Sequence, residues 1–67
     1  MMFVVKVFAT GGGVYRGPVP YSSEAEARAD YNAQQLFGRF YRAELWSGSF
    51  ANDVWADGEM LASKVKQ

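Results

Sequence analysis

The sequence has 67 residues, 49% of them hydrophobic and 16% aromatic, with seven basic and seven acidic side chains and no cysteine or histidine. This length fits one α+β domain, residues 1–67, and so short a chain buries only about 60% of its unfolded surface. Disulfides are excluded, a structural zinc site lacks its usual Cys and His ligands, and zero net charge disfavours a polyanion as the main partner. We therefore expect self-association or an aromatic-rich sheet to stabilise the fold.

The N-terminal quarter of the chain predicts a β-hairpin. Residues 3–10 alternate between two faces and are rich in β-branched side chains, which is typical of a strand. Gly11–Gly13 predicts a flexible turn, and Val14–Gly17 a short returning strand. Because proline has no backbone N–H, Pro18–Pro20 is expected to be extended and to lie at an edge.

The stretch from Ser23 to Gly38 predicts the helix around which the domain is built. Ser23 is a typical N-cap, Glu26 completes a capping box, and Gly38 suits a left-handed C-terminal cap. The helix is therefore expected over residues 23–37. A narrow apolar stripe is expected to pack on a sheet, formed by Ala25, Ala29, Ala33 and Leu36.

The C-terminal half predicts a meander of three strands. Residues 39–47 alternate, and two dipeptides, Ser47-Gly48 and Asp57-Gly58, have the composition of two-residue hairpin turns. The predicted fold is α+β: one α-helix (about 23–37) packed on a four- to five-stranded, mostly antiparallel sheet, in the order β(β)αβββ.

The alternation divides the side chains of the strands between the two faces of the sheet. A single helix can cover only one of these faces. The face expected under the helix carries Phe3, Val5, Val7, Tyr41, Leu45, Phe50, Val54, Leu61 and Val65. The second face is expected to carry Val4, Phe8, Phe40, Trp46, Trp55 and Met60, with Lys6, Arg42, Glu44 and Asp53 among them. A second face so rich in aromatic residues indicates either an interface or a sheet that coils until the face is enclosed.

The sequence offers little catalytic chemistry. There is no His or Cys for a nucleophilic site, and helix capping and turns account for the carboxylates. Asp57–Glu59 is too short for a calcium loop. We expect no enzyme, no cofactor and no metal site.

The resulting hypothesis is a small non-enzymatic binding protein that acts through protein–protein contact, as a homodimer. In size, aromatic content and absence of catalytic residues it resembles, in type, small phage-encoded or mobile-element proteins that antagonise a host machine. The partner-binding residues are predicted to be Phe8, Phe40, Arg42, Trp46, Trp55, Met60, Tyr15 and Arg16.

Two alternatives remain open at the level of sequence. Cations beside aromatic residues on an open sheet are typical of modules that bind single-stranded nucleic acid. The hairpin of residues 11–17, which presents Tyr15 and Arg16, could instead bind a small anionic ligand. The apolar N-terminus contains Lys6, lacks a basic leader and is too short to cross a bilayer, so no signal peptide is expected. The absence of cysteine fits the expected cytoplasmic location.

Overall fold

The structure, a computed structural model, describes residues 1–16 and 20–66 of the chain. Antiparallel strands form a four-stranded sheet in the order β2-β1-β3-β4, and one helix packs against one of its faces. The predicted α+β fold is confirmed. The elements are β1 (Met2–Ala9), β2 (Val14–Arg16), α1 (Glu24–Ala33), β3 (Phe40–Ala51) and β4 (Val54–Val65).

The first hairpin forms as predicted. Strand β1 pairs with β2 from Lys6 to Phe8 and with β3 along nearly its whole length. Between β1 and β2, Gly11 and Gly12 have φ angles of +93° and +91°, which glycine adopts without steric cost. Residues 17–19 lie outside the described part, so the extended segment predicted at 18–20 stays a prediction.

Helix α1 begins where the sequence indicates and ends earlier. The Ser23 hydroxyl oxygen accepts the Glu26 N–H at 3.4 Å, which confirms the N-cap. The predicted end near residue 37 is wrong, because the helix ends at Ala33. The Lys64 ammonium donates to the carbonyl oxygens of Tyr31 and Gln34 at 2.8 and 2.9 Å, so the helix end is satisfied without a glycine cap.

The apolar side of the helix differs from the predicted stripe. Ala27 and Tyr31, which are 0% and 7% exposed, face the sheet, while the three alanines of the stripe are exposed. Leu36 lies beyond the helix and packs partly against the core. The alanine pattern was misleading because one tyrosine ring covers more sheet than several methyl groups. The buried core consists of Phe3, Val5, Ala27, Tyr31, Ala43 and Leu45.

The meander of three strands is replaced by one long hairpin. Its turn is Asn52–Asp53, whose φ angles of +54° and +61° suit a type I′ turn. The predicted turns at Ser47-Gly48 and Asp57-Gly58 are wrong, because both segments lie within strands and Gly48 pairs with Asp57.

Close packing explains why Gly48 lies within a strand. A Cβ atom at Gly48 would lie 2.3 Å from the Ala56 carbonyl oxygen and 2.6 Å from the Trp55 ring. The glycine therefore makes room for a tryptophan that lies against its own hairpin. Two register shifts between β3 and β4, near Trp46, accommodate this arrangement.

Candidate functional site

The face of the sheet opposite α1 carries most of the chemically distinctive side chains. Direct cross-strand pairs, which point to the same side, bring together Val4 with Trp46, Lys6 with Glu44 and Phe8 with Arg42. Strand β4 adds Met60, which pairs with Trp46, and further along the strand Asp57 and Trp55. We call this surface the open face and define it by Val4, Lys6, Phe8, Arg42, Glu44, Trp46, Trp55, Asp57 and Met60.

One end of the open face is organised around Lys6. Its ammonium lies 4.7 Å from the centre of the Trp46 ring and 2.7 Å from a carboxylate oxygen of Asp57. The other Asp57 oxygen accepts the Trp55 indole N–H at 2.5 Å. One cation is thus held between an aromatic ring and a carboxylate, and that carboxylate also orients the second tryptophan.

The other end repeats this arrangement with different residues. The Arg42 guanidinium lies 4.3 Å from the centre of the Phe8 ring, and its Nε atom lies 3.3 Å from Glu44 Oε2. Glu44 Oε1 accepts the Trp46 indole N–H at 2.8 Å. Glu44 is buried although it is charged, which is tolerable because both of its oxygens have a partner.

These contacts give the open face two properties. Its two cations are paired with its two carboxylates, so the face is electrically neutral as a whole. Val4 is only 3% exposed although no helix covers it. Trp46 and Trp55 are half-buried, and Met60 is 46% exposed.

Five of the eight predicted partner-binding residues lie together on the open face: Phe8, Arg42, Trp46, Trp55 and Met60. The predicted position of Phe40 on this face is wrong. A register shift beyond Phe8 pairs Phe40 with Ala9 and turns it to the helix side. Tyr15 also lies there, opposite Val7. The side chain of Arg16 lies outside the described part.

Two other predicted positions are also corrected by the strand register. Phe50 and Val65 were expected under the helix, but they pair with Trp55 and Arg42, respectively. Paired residues share a face, so both belong to the side of the open face. The two wrong turn predictions account for these errors. A shift of one residue in the register of a strand moves its side chains to the other face of the sheet.

A second concave site lies on the helix side, where the chain leaves α1 and enters β3. The cleft has a volume of about 390 Å³, and we call it the aromatic cleft. The Tyr15 and Phe40 rings meet edge to face, with centres 6.4 Å apart. The side chains around the cleft include Val7, Tyr15, Gln34, Phe37, Arg39 and Phe40.

Phe37 and Arg39 belong to this cleft, although neither is among the binding residues that the sequence predicts. The sequence predicts Phe37 in the last turn of the helix, whereas it is 67% exposed in the connection to β3. The available signal was the sequence Phe37-Gly38-Arg39, in which a glycine separates an aromatic residue from a cation. Glycine in that position is typical of a turn that presents its neighbours.

Two tyrosines have perturbed acid–base properties. A hydrogen bond from the Tyr21 hydroxyl to Asp30, 3.0 Å long, raises the pKa of Tyr21, and the negative charge of Asp30 adds to this effect. Burial raises the pKa of Tyr31. Both tyrosines serve the attachment of α1 to the sheet.

Two further features concern residues 1–16 and 20–66 as a whole. They contain no group of three or more acidic side chains placed to hold a metal ion. Nor do they contain a helix with the length and hydropathy required to span a bilayer.

Comparisons with protein-family models, with curated proteins and with solved structures found no match.

Proposed function

We propose that this chain is a small non-enzymatic binding protein that acts through protein–protein contact, and that its open face is the contact between two copies in a homodimer. The observation that carries the proposal is the composition of a face that α1 leaves uncovered. Phe8, Trp46, Trp55 and Met60 are of the residue types enriched at interface centres. The helix contacts only the other side of the sheet.

The charge pattern of the open face supports a second copy as the partner. Lys6 is paired with Asp57, and Arg42 with Glu44, within one protomer. Because each charge on this neutral face is paired within its own protomer, two copies can meet across a two-fold axis without repulsion between like charges. Such a contact also adds aromatic surface to a chain too short to bury a large core.

The outer edge of β4 is a weaker candidate for the same contact. Within the described residues no strand pairs with that edge, and an exposed edge strand is a template for pairing. However, β4 carries two register shifts against β3. Bulges of this kind interrupt and twist a strand, which is one way that native proteins protect an edge.

The same geometry makes a single-stranded nucleic acid the second candidate. The stacked cations, Lys6 over Trp46 and Arg42 over Phe8, resemble the platforms on which bases stack. A phosphate would have to compete with Asp57 and Glu44 for these cations. An antagonist role, as in small phage-encoded proteins, stays a prediction.

Sedimentation equilibrium over a range of protein concentrations tests the homodimer. Trp46→Ala is expected to weaken the dimer by about 30-fold, because truncating a central interface tryptophan commonly costs about 2 kcal/mol. Phe37→Ala is the matched control, because it removes an exposed aromatic ring from the opposite side of the sheet. Circular dichroism verifies that both variants keep the fold.

Three outcomes would contradict the proposal. If the wild-type chain stays monomeric at every concentration, the proposed self-association is wrong. If Trp46→Ala leaves the dimer unchanged, the contact lies on another surface, such as the β4 edge. Binding of single-stranded RNA or DNA with a steep salt dependence would favour the nucleic-acid alternative.

A further inference from the structure

The aromatic cleft combines a concave shape with exposed aromatic rings and a cation. It is concave, and its volume of about 390 Å³ falls within the range of about 300–1,000 Å³ typical of small-molecule sites. Tyr15 and Phe37 expose 68% and 67% of their surfaces there, which is unusual for two neighbouring aromatic residues. The cleft lies on the helix side, so it is independent of the proposed dimer contact.

Backbone hydrogen bonds hold the connection that forms one wall of the cleft. The Phe40 N–H donates to the Phe37 carbonyl oxygen at 3.1 Å, and the Thr10 N–H donates to the Arg39 carbonyl oxygen at 2.8 Å. Between them Gly38 adopts a φ of +61°, which places Phe37 and Arg39 on either side of a tight turn. The wall is therefore largely formed before any ligand binds, which lowers the entropy cost of binding.

The guanidinium of Arg39 at this wall favours an anion. The Arg39 guanidinium lies 5.7 Å from the centre of the Phe40 ring, and among the described residues no carboxylate lies within ion-pair distance of it. The Lys66 ammonium donates to the Gly38 carbonyl oxygen at 2.7 Å. Lys64 binds the last carbonyls of α1, so the negative end of the helix dipole is offset.

We propose that the aromatic cleft binds a small aromatic carboxylate, with the aromatic ring against Tyr15 and Phe37 and the carboxylate on Arg39. Aromatic rings prefer offset or edge-to-face contact with other rings, and the exposed rings of the cleft offer both. A guanidinium fork matches a carboxylate in two parallel hydrogen bonds. The same chemistry occurs in free aromatic acids and in a C-terminal aromatic residue of a peptide.

A titration followed by amide chemical shifts tests the proposal with 3-phenylpropionate as the probe. Saturable shifts are expected at Tyr15, Phe37 and Arg39. The uncharged analogue 3-phenylpropanol is expected to bind about three- to tenfold more weakly, because an exposed charge-assisted pair contributes about that much. Shifts that do not saturate, or equal binding of the acid and the alcohol, would overturn the proposal.

Two pairs of variants locate the binding groups. Arg39→Gln is expected to remove the preference for the acid over the alcohol, whereas Arg28→Gln, which removes another exposed charge, paired with Glu24 on the helix, should retain it. Phe37→Ala is expected to weaken both probes, while Val54→Ala at the far hairpin should not. Because all four side chains are exposed, the fold should survive each change. An Arg39→Gln variant that keeps the preference contradicts the assignment.

A short peptide distinguishes the two sources of the carboxylate. Acetyl-Gly-Gly-Phe with a free C-terminus is compared with its C-terminal amide in the same titration. If the free peptide binds more tightly than 3-phenylpropionate, the cleft recognises a peptide end; if only the small acid binds, it recognises a free aromatic acid. If neither binds saturably, the proposal fails whatever the state of the dimer.

Discussion

The two faces of the sheet bury their residues in different ways. On the helix side, Ala27, Ala43 and Leu45 are fully buried, because α1 lies directly on the strands. On the open face, Val4 is almost as well buried, and Glu44 is enclosed as well, without any covering element. There each of the two cations, Lys6 and Arg42, lies over an aromatic ring.

This difference shows that the helix side and the open face depend on different interactions. The helix side depends on close packing of small residues, which tolerates little change in volume. The open face depends on cation–aromatic stacking and paired charges, which are exposed to solvent at their rims and contribute less to stability. The helix side is therefore expected to dominate the free energy of unfolding, and the open face to remain available for contact.

Enlarging a residue at the helix–sheet contact should produce the largest change in stability. Ala27→Leu is expected to cost about 1–3 kcal/mol, because Ala27 is 0% exposed and the new side chain has no room. Ala29, two residues along the same helix, faces solvent, so Ala29→Leu should change stability by no more than about 0.5 kcal/mol. Urea unfolding of the two variants compares them, and equal effects would contradict the observed orientation of α1.

A change on the open face should have a smaller effect. Glu44→Gln is expected to cost about 1 kcal/mol, because it leaves Arg42 without its carboxylate and weakens the bond from Trp46. Glu24→Gln, in an exposed pair with Arg28 on the helix, is the matched control and should cost less than about 0.5 kcal/mol. Urea unfolding provides the comparison. If Glu44→Gln matches its control, the paired charges do not support the open face.

Alkaline pH should weaken the contact between α1 and the sheet, and its effect on stability should be smaller than those of the substitutions at Ala27 and Glu44. Tyr21 and Tyr31 have pKa values raised by the Asp30 contact and by burial, so the folded state holds these protons more tightly than the unfolded state. Their contribution is complete below the ordinary tyrosine pKa of about 10 and is lost as the pH rises through the raised values. Between about pH 9 and about pH 11.5, the melting temperature of the Tyr21→Phe variant should fall by less than that of the wild type. Tyr15 is exposed, so the melting temperature of the Tyr15→Phe variant should fall by as much as that of the wild type.

Local signals in the sequence determined the elements that depend on neighbouring residues alone. The alternation of residues 3–10, the glycine turn after it and the Ser23 cap all appear in the structure as predicted, because strand alternation, turn geometry and capping act within a few residues. Strand alternation also predicts Phe8 and Trp46 on one face, as the strand pairing shows. The α+β class followed from one capped helix among strands.

Tertiary contacts decided the rest. Lys64, thirty residues from Gln34 in sequence, binds the end of α1, so the helix ends before Gly38. Gly48 makes room for Trp55 across the hairpin instead of forming a turn, which leaves the turn to Asn52–Asp53. The aromatic cleft exists only where β2, the end of α1 and the start of β3 meet. Each of these outcomes depends on residues distant in sequence, whose proximity no local pattern encodes.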